Sequence, residues 1–156
     1  MGDVYFYHLT QAPVETTLAT LLGKSLQAGW RVAVRGTDAG RLKWLDEKLW
    51  LGADDGFLPH GVEGGPHDAE QPVLLTMGQA ANAPDCLMSV DGAEVGAEEV
   101  AALTRVCILF DGHDPDAVQH ARGQWKTLTD AGASAQYWSQ ESGRWEKRAE
   151  SAPPKA

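Results

Sequence analysis

Val14, Leu18, Leu21, Leu22 and Leu26 recur at steps of three and four, the spacing that gathers apolar side chains on one buried helix face. Pro13 stands where such a helix opens. Gly29 stands where it closes, because glycine accepts the left-handed conformation without a Cβ clash. The flanking runs, residues 4–9 (VYFYHL) and 31–35 (RVAVR), are β-branched and aromatic and read as strands. Thr37 or Asp38 can cap a second helix with Leu42, Leu45 and Leu49 on a common face. Strand, helix, strand, helix is the grammar of a parallel sheet covered by helices.

The rest of the chain continues it. Residues 52–71 are rich in glycine and poor in apolar groups, so they read as a long loop. Residues 73–77 (VLLTM) and 86–90 (CLMSV) are uniformly apolar, as inner parallel strands are. Residues 97–104 predict a short helix and residues 105–110 the strongest strand. Asp114-Pro115 is a helix start, with the helix running to about residue 131 before Gly132, and residues 134–139 form a last strand. Beyond Arg144, WEKRAESAPPKA is polar and reads as a frayed tail. The expectation is a single α/β domain over residues 1–143, with a Rossmann-like, mostly parallel sheet of about six or seven strands and helices on both faces. Residues 144–156 are expected to be a flexible C-terminal tail.

Composition narrows the functional classes. The chain has 156 residues, enough to bury about 70% of its unfolded surface without metal or disulfide staples. Its net charge of −9 argues against coating nucleic acid, since non-specific affinity for phosphate comes from Lys and Arg. Cys86 and Cys107 lie in apolar runs and read as buried free thiols rather than a disulfide. No basic-then-apolar leader and no membrane-length apolar run is visible, so a cytoplasmic protein without membrane contact is expected.

The catalytic and cofactor motifs expected of such a sheet are missing. The residues after the first strand, HLTQAP, are not a G-x-G-x-x-G turn, and Gly23-Lys24-Ser25 lacks the glycine spacing of a phosphate loop. There is no G-x-S-x-G elbow. His60 and His67 share the glycine-rich loop with Asp68 and Glu70 but match no zinc pattern, and read as solvated loop histidines. No metal, cofactor or catalytic residue is therefore expected.

Two clusters remain. In residues 42–60, Trp50 ends a helix and Phe57-Leu58-Pro59-His60 follows a short acidic loop. These groups can form core or an exposed docking patch, and composition favours core. On the late helix, Val118, Ala121, Trp125 and Leu128 form an inward stripe, with Arg122 and Lys126 four apart beside it. This is either a solvated helix face with Trp125 in the core, or a pocket for an acidic ligand with an apolar end. In the second case Arg grips a carboxylate and the aromatic wall holds the greasy group.

The sequence resembles the chi subunit family of bacterial DNA polymerase III. The resemblance rests on Phe6-Tyr7 in the opening strand and on Gly29-Trp30-Arg31-Val32 entering the second. It also rests on Leu45-Asp46-Glu47-Lys48-Leu49-Trp50 followed by Phe57-Leu58-Pro59-His60, and on the helix bearing Arg122, Trp125 and Lys126; it extends to about residue 139. It implies a non-catalytic accessory subunit of the polymerase holoenzyme, linking the clamp loader to the acidic C-terminal tail of single-stranded DNA-binding protein. Under that resemblance Arg122, Trp125 and Lys126 match the tail-binding cluster, with Trp125 where many relatives carry tyrosine. Trp50, Phe57, Pro59 and His60 are candidates for a second surface, toward the psi subunit or another loader subunit. DNA is contacted only indirectly. The rival readings are a small nucleotide-binding α/β enzyme and a generic peptide-binding module.

Overall fold

A parallel strand covered on both faces needs apolar or small groups at every position, and Val73–Thr76 and Cys86–Ser89 are of this kind, with every residue buried. In the computed structural model, which describes residues 3–11, 13–51 and 60–151 apart from the side chains of Trp50 and Leu51, these two strands sit inside one eight-stranded sheet. In chain order the elements are β1 (Asp3–Leu9), α1 (Val14–Gln27), β2 (Val32–Arg35), α2 (Ala39–Leu51), β3 (Gly61–Val62), β4 (Val73–Thr76) and β5 (Cys86–Ser89). They continue with α3 (Ala97–Ala102), β6 (Arg105–Asp111), α4 (Pro115–Asp130), β7 (Ser134–Ser139) and β8 (Glu146–Ser151). The spatial order is β3-β4-β2-β5-β6-β1-β7-β8, parallel throughout except for the antiparallel β7–β8 pair. The α/β architecture expected from the hydrophobic pattern is thus present.

Alternation along the strands divides the core. Val32 and Val34 face α1 and α2, where Leu18, Leu22, Leu42, Leu45 and Leu49 complete one apolar layer. Val4, Phe6, Val106 and Ile108 face α3 and α4 and form the other, with Val100, Ala121 and Leu128. Helix ends follow local chemistry. Gly29 (φ +84°) lets the Trp30 amide reach back to the Ser25 carbonyl at 3.0 Å, closing α1. Of the two candidate caps for α2, Asp38 is the one used, accepting from the Arg41 amide at 2.9 Å. Cys86 and Cys107 are buried free thiols on adjacent strands, and the bond from Cys86 together with burial pushes the Cys107 thiol well up. No described helix is long and apolar enough to cross a membrane.

Two expectations need correction. The sheet has eight strands, because Gly61–Val62 adds a short edge strand to β4 and Glu146–Ser151 pairs with β7. Residues 152–156 lie outside the described residues, but the segment Glu146–Ser151 of the expected tail is part of the sheet. A turn at Gly143 (φ +92°), whose amide donates to the Gln140 carbonyl at 2.9 Å, folds it back. Trp145 then packs edge-on against Tyr7 at 5.4 Å. Its charged sequence has no strand signature, but it satisfies the open edge of β7 and presents charge outward, which discourages further pairing.

An ion pair locks α3 to the sheet: Arg35 Nη1 and Nη2 donate to Glu99 Oε1 and Oε2 at 2.8 and 2.6 Å. The Arg35 hydrogen bonds hold the Glu99 carboxyl below its usual value. A depressed folded-state pKa gives stability that is present above the unfolded value and lost as pH falls through the folded one. Glu99→Gln is therefore expected to lower the unfolding midpoint at pH 7, with the deficit shrinking below the ordinary carboxylate range; urea unfolding at pH 7 and pH 3 checks it.

Candidate functional site

The late helix begins as its sequence dictates. Asp114 accepts from the Asp116 and Ala117 amides at 3.0 and 3.4 Å, and Pro115 occupies the first turn. Ala121, Gln124 and Leu128 form its buried stripe, while Trp125 lies at the margin, half-buried. Trp125 meets Phe6 edge-on at 5.3 Å and Tyr137 at 6.0 Å, and Phe6 stacks on Tyr137 at 6.2 Å. Three rings from α4, β1 and β7 therefore hold one another in place.

This aromatic wall borders a cavity of about 370 Å³ lined by His8, Arg122, Trp125, Tyr137, Ser139, Glu141, Arg148 and Ala149. Arg122 is exposed and has no ion-pair partner among the described residues. Arg148 comes from β8, and among the described residues its ion-pair neighbour is the distant Glu146 at 3.8 Å. Lys126 does not line the cavity; its Nζ bonds Asp130 Oδ2 at 3.1 Å on the open helix face. The structure thus unites Arg122 with Trp125, places Lys126 one turn outside, and adds a second guanidinium from a segment expected to be a tail. His8, Tyr137 and Glu141 were also missed. A histidine in a strand and an alternating tyrosine give no sequence signal until the sheet brings them together.

Burial lowers the pKa of His8, with Glu141 opposing and Arg122 reinforcing the shift, so the ring is neutral at pH 7. Its Nδ1 is 2.8 Å from the Tyr137 hydroxyl, whose own pKa burial raises. Its Nε2 lies 3.3 Å from Glu141 Oε1, but out of line for a hydrogen bond, and so is buried without a partner.

A larger cavity, of about 840 Å³, opens at the carboxyl ends of β1 and β6, where the chain leaves neighbouring strands toward opposite faces of the sheet. That is where α/β sheets commonly bind nucleotides. Here the crevice is lined by Glu15, Asp91, Asp111, Asp114 and Asp116, and its one arginine, Arg41, is paired with Asp91 at 3.1 Å. Such a wall repels phosphate. No group of three or more potential metal ligands occurs among the described residues.

The family model for the DNA polymerase III chi subunit, HolC, matches residues 1–136. The chain belongs to the DNA polymerase III chi subunit family. It is also 25% identical over 76 residues to the probable DNA polymerase III subunit chi of Rickettsia prowazekii (strain Madrid E), a match covering 49% of this chain and 46% of that relative. The chain thus spans about half the length of that curated relative. Chi is a replication accessory subunit.

Several residues that carry the chi resemblance act in the fold. The Arg31 guanidinium donates to the Ala69 and Asn82 carbonyls at 2.9 and 3.2 Å, pinning the loop before β4 and the loop before β5 to β2. Leu45 and Leu49 are core. His60, expected as a solvated loop residue or part of a second surface, is instead buried, its Nε2 3.1 Å from Asp46 Oδ1 and 3.2 Å from the Asp46 carbonyl. The Asp46–His60 contact therefore ties the residue before β3 to α2. Phe57, Pro59 and the Trp50 side chain lie outside the described residues.

Proposed function

We propose that this chi-family chain links the clamp-loader assembly to single-stranded DNA-binding protein in the bacterial cytoplasm, by receiving that protein's acidic C-terminal tail in the cavity between α4, β1, β7 and β8. One observation carries the reading. On a chain of net charge −9, the unpaired Arg122 stands with Arg148 beside a half-buried wall of Trp125 and Tyr137. An apolar ring at the tail's end suits the aromatic wall, and its carboxylates suit the guanidinium groups. The chain's other carboxylates discourage the tail from settling elsewhere. Lys126, outside the lining, can steer upstream acids once it exchanges Asp130. This role needs no chemistry of the chain's own. A psi or other loader subunit would use a second surface, for which Trp50, Phe57 and Pro59 remain the proposed residues; with His60 buried, their partner would meet α2 and its following loop. Trp50→Ala and Phe57→Ala variants that still co-purify with the intact loader would remove that surface from the proposal.

Because Arg122 and Arg148 are exposed, their attraction is screened by ions. Raising salt from about 0.05 to about 0.5 M is expected to weaken binding of an acidic, phenylalanine-ended peptide several-fold, checked by calorimetry. Salt-independent binding would assign affinity to apolar contact alone. A nucleotide that raises the melting temperature would instead favour an enzyme in the larger crevice.

A further inference from the structure

His8 is the polar group in the cavity that the pairing of charges leaves unexplained. Its side chain is only 8% exposed, and its Nε2 has no hydrogen-bond partner although it lies 3.3 Å from the carboxylate of Glu141. A buried polar atom left unpaired is costly, so the arrangement asks for a reason.

The tautomer follows from the neighbours. Were the proton on Nδ1, the bare Nε2 lone pair would face a carboxylate, two acceptors in opposition. With the Tyr137 hydroxyl donating to Nδ1 across 2.8 Å, Nε2 carries the hydrogen and sets a donor beside the carboxylate but out of line with it. Tyr137 is therefore a positioning residue: it fixes the proton on Nε2. Gly112 makes room for the ring, since a Cβ there would collide with His8 Cδ2 and Nε2.

Glu141 is placed differently. Its amide is anchored to Ser139 Oγ at 3.1 Å, while its side chain is 55% exposed and free of any aligned bond to the imidazole. A carboxylate on a fixed pivot thus hovers at a donor it does not properly satisfy, inside a cavity whose other charges, Arg122 and Arg148, are positive.

We propose that His8 Nε2–H donates to the terminal carboxylate of the acidic peptide, and that Glu141 stands in for that carboxylate in the free protein and swings out when the peptide arrives. The inference rests on the tail-binding reading above and assigns it two further residues. His8 adds a neutral, oriented donor that distinguishes a chain-terminal carboxylate from the side-chain carboxylates upstream. Glu141 sets an internal competitor, so affinity is held below what the cavity could give.

The test is calorimetric titration of the intact protein with an acidic peptide ending in phenylalanine, as the free acid and as the C-terminal amide. Glu141→Gln, an exposed change that leaves the core alone, is expected to tighten the free acid by about three- to tenfold. His8→Leu is expected to weaken the free acid by about tenfold and to collapse the acid-over-amide preference. His8→Gln, whose amide nitrogen falls near the position of Nε2, should restore part of that preference, a rescue that a purely structural role for His8 would not produce. Tyr137→Phe should reduce the preference with Arg122 intact. Unchanged affinity in Glu141→Gln together with an unchanged preference in a folded His8→Leu variant, while Arg122→Ala still weakens binding, overturns the roles of His8 and Glu141 and leaves the site standing. Failure of the wild-type protein to bind the free acid overturns both.

Discussion

Arg122→Ala weakens binding of an acidic, phenylalanine-ended peptide by about tenfold or more, and titration at low salt is the measurement that shows it. Arg122 stands beside Trp125 on the cavity wall and has no partner of its own among the described residues, so its charge is available to a ligand. A hydrogen bond to a charged group contributes about 1.5–3 kcal/mol, and a tenfold change corresponds to about 1.4 kcal/mol. Salt screening places the expectation at the lower end of that range. Arg122→Lys keeps the charge but loses the planar fork, so its dissociation constant should fall between wild type and alanine. Folding should be untouched, because the side chain is exposed. An unchanged dissociation constant for Arg122→Ala would remove the cavity from consideration as the tail site.

Phe6→Ala is expected to cost the most stability, about 3–5 kcal/mol in urea unfolding. Phe6 is fully buried on β1 and touches both Trp125 and Tyr137, so truncation opens a hole where α4 meets the sheet. That is a large share of the roughly 5–15 kcal/mol that holds an ordinary domain together. Phe6→Leu should be milder in stability yet still weaken peptide binding, because the ring that braces the aromatic wall is gone. A Phe6→Leu variant with wild-type affinity would mean that Trp125 and Tyr137 need no bracing from below.

Periodicity exposed most of the fold because most elements are covered on a predictable face. The leucines of α1 and α2, the uniformly apolar β4 and β5, and the Asp114-Pro115 start of α4 each encode local structure in local sequence. β8 does not. EKRAES is a strand only because β7 offers it an edge, and nothing in its composition says so. That omission had a functional consequence, since Arg148 arrives in the cavity on β8.

The candidate site was legible to the same extent. Arg122 and Trp125 are three apart on one helix, so their common face follows from spacing. Of their companions, His8 comes from the far end of the chain and Tyr137 and Glu141 from the next strand and the turn after it, and they meet through β1–β7 pairing. Lys126 shows the reverse error: spacing placed it beside Arg122, but its ammonium turns to Asp130. His60 was misjudged for a related reason. A glycine-rich segment looks solvated until Asp46, on the preceding helix α2, draws the imidazole inward. The acidic composition, read first as an argument against nucleic acid, is what makes one pocket with two arginines and a single carboxylate conspicuous.

The central claim, that this cavity reads an acidic chain terminus, is tested most directly by titrating the intact protein with the free C-terminal peptide of single-stranded DNA-binding protein and with the same peptide amidated. Saturable one-to-one binding of the free acid, at least about tenfold tighter than the amide and lost in Arg122→Ala, is the predicted result. Equal affinity for acid and amide, or no binding of either at low salt, would contradict it.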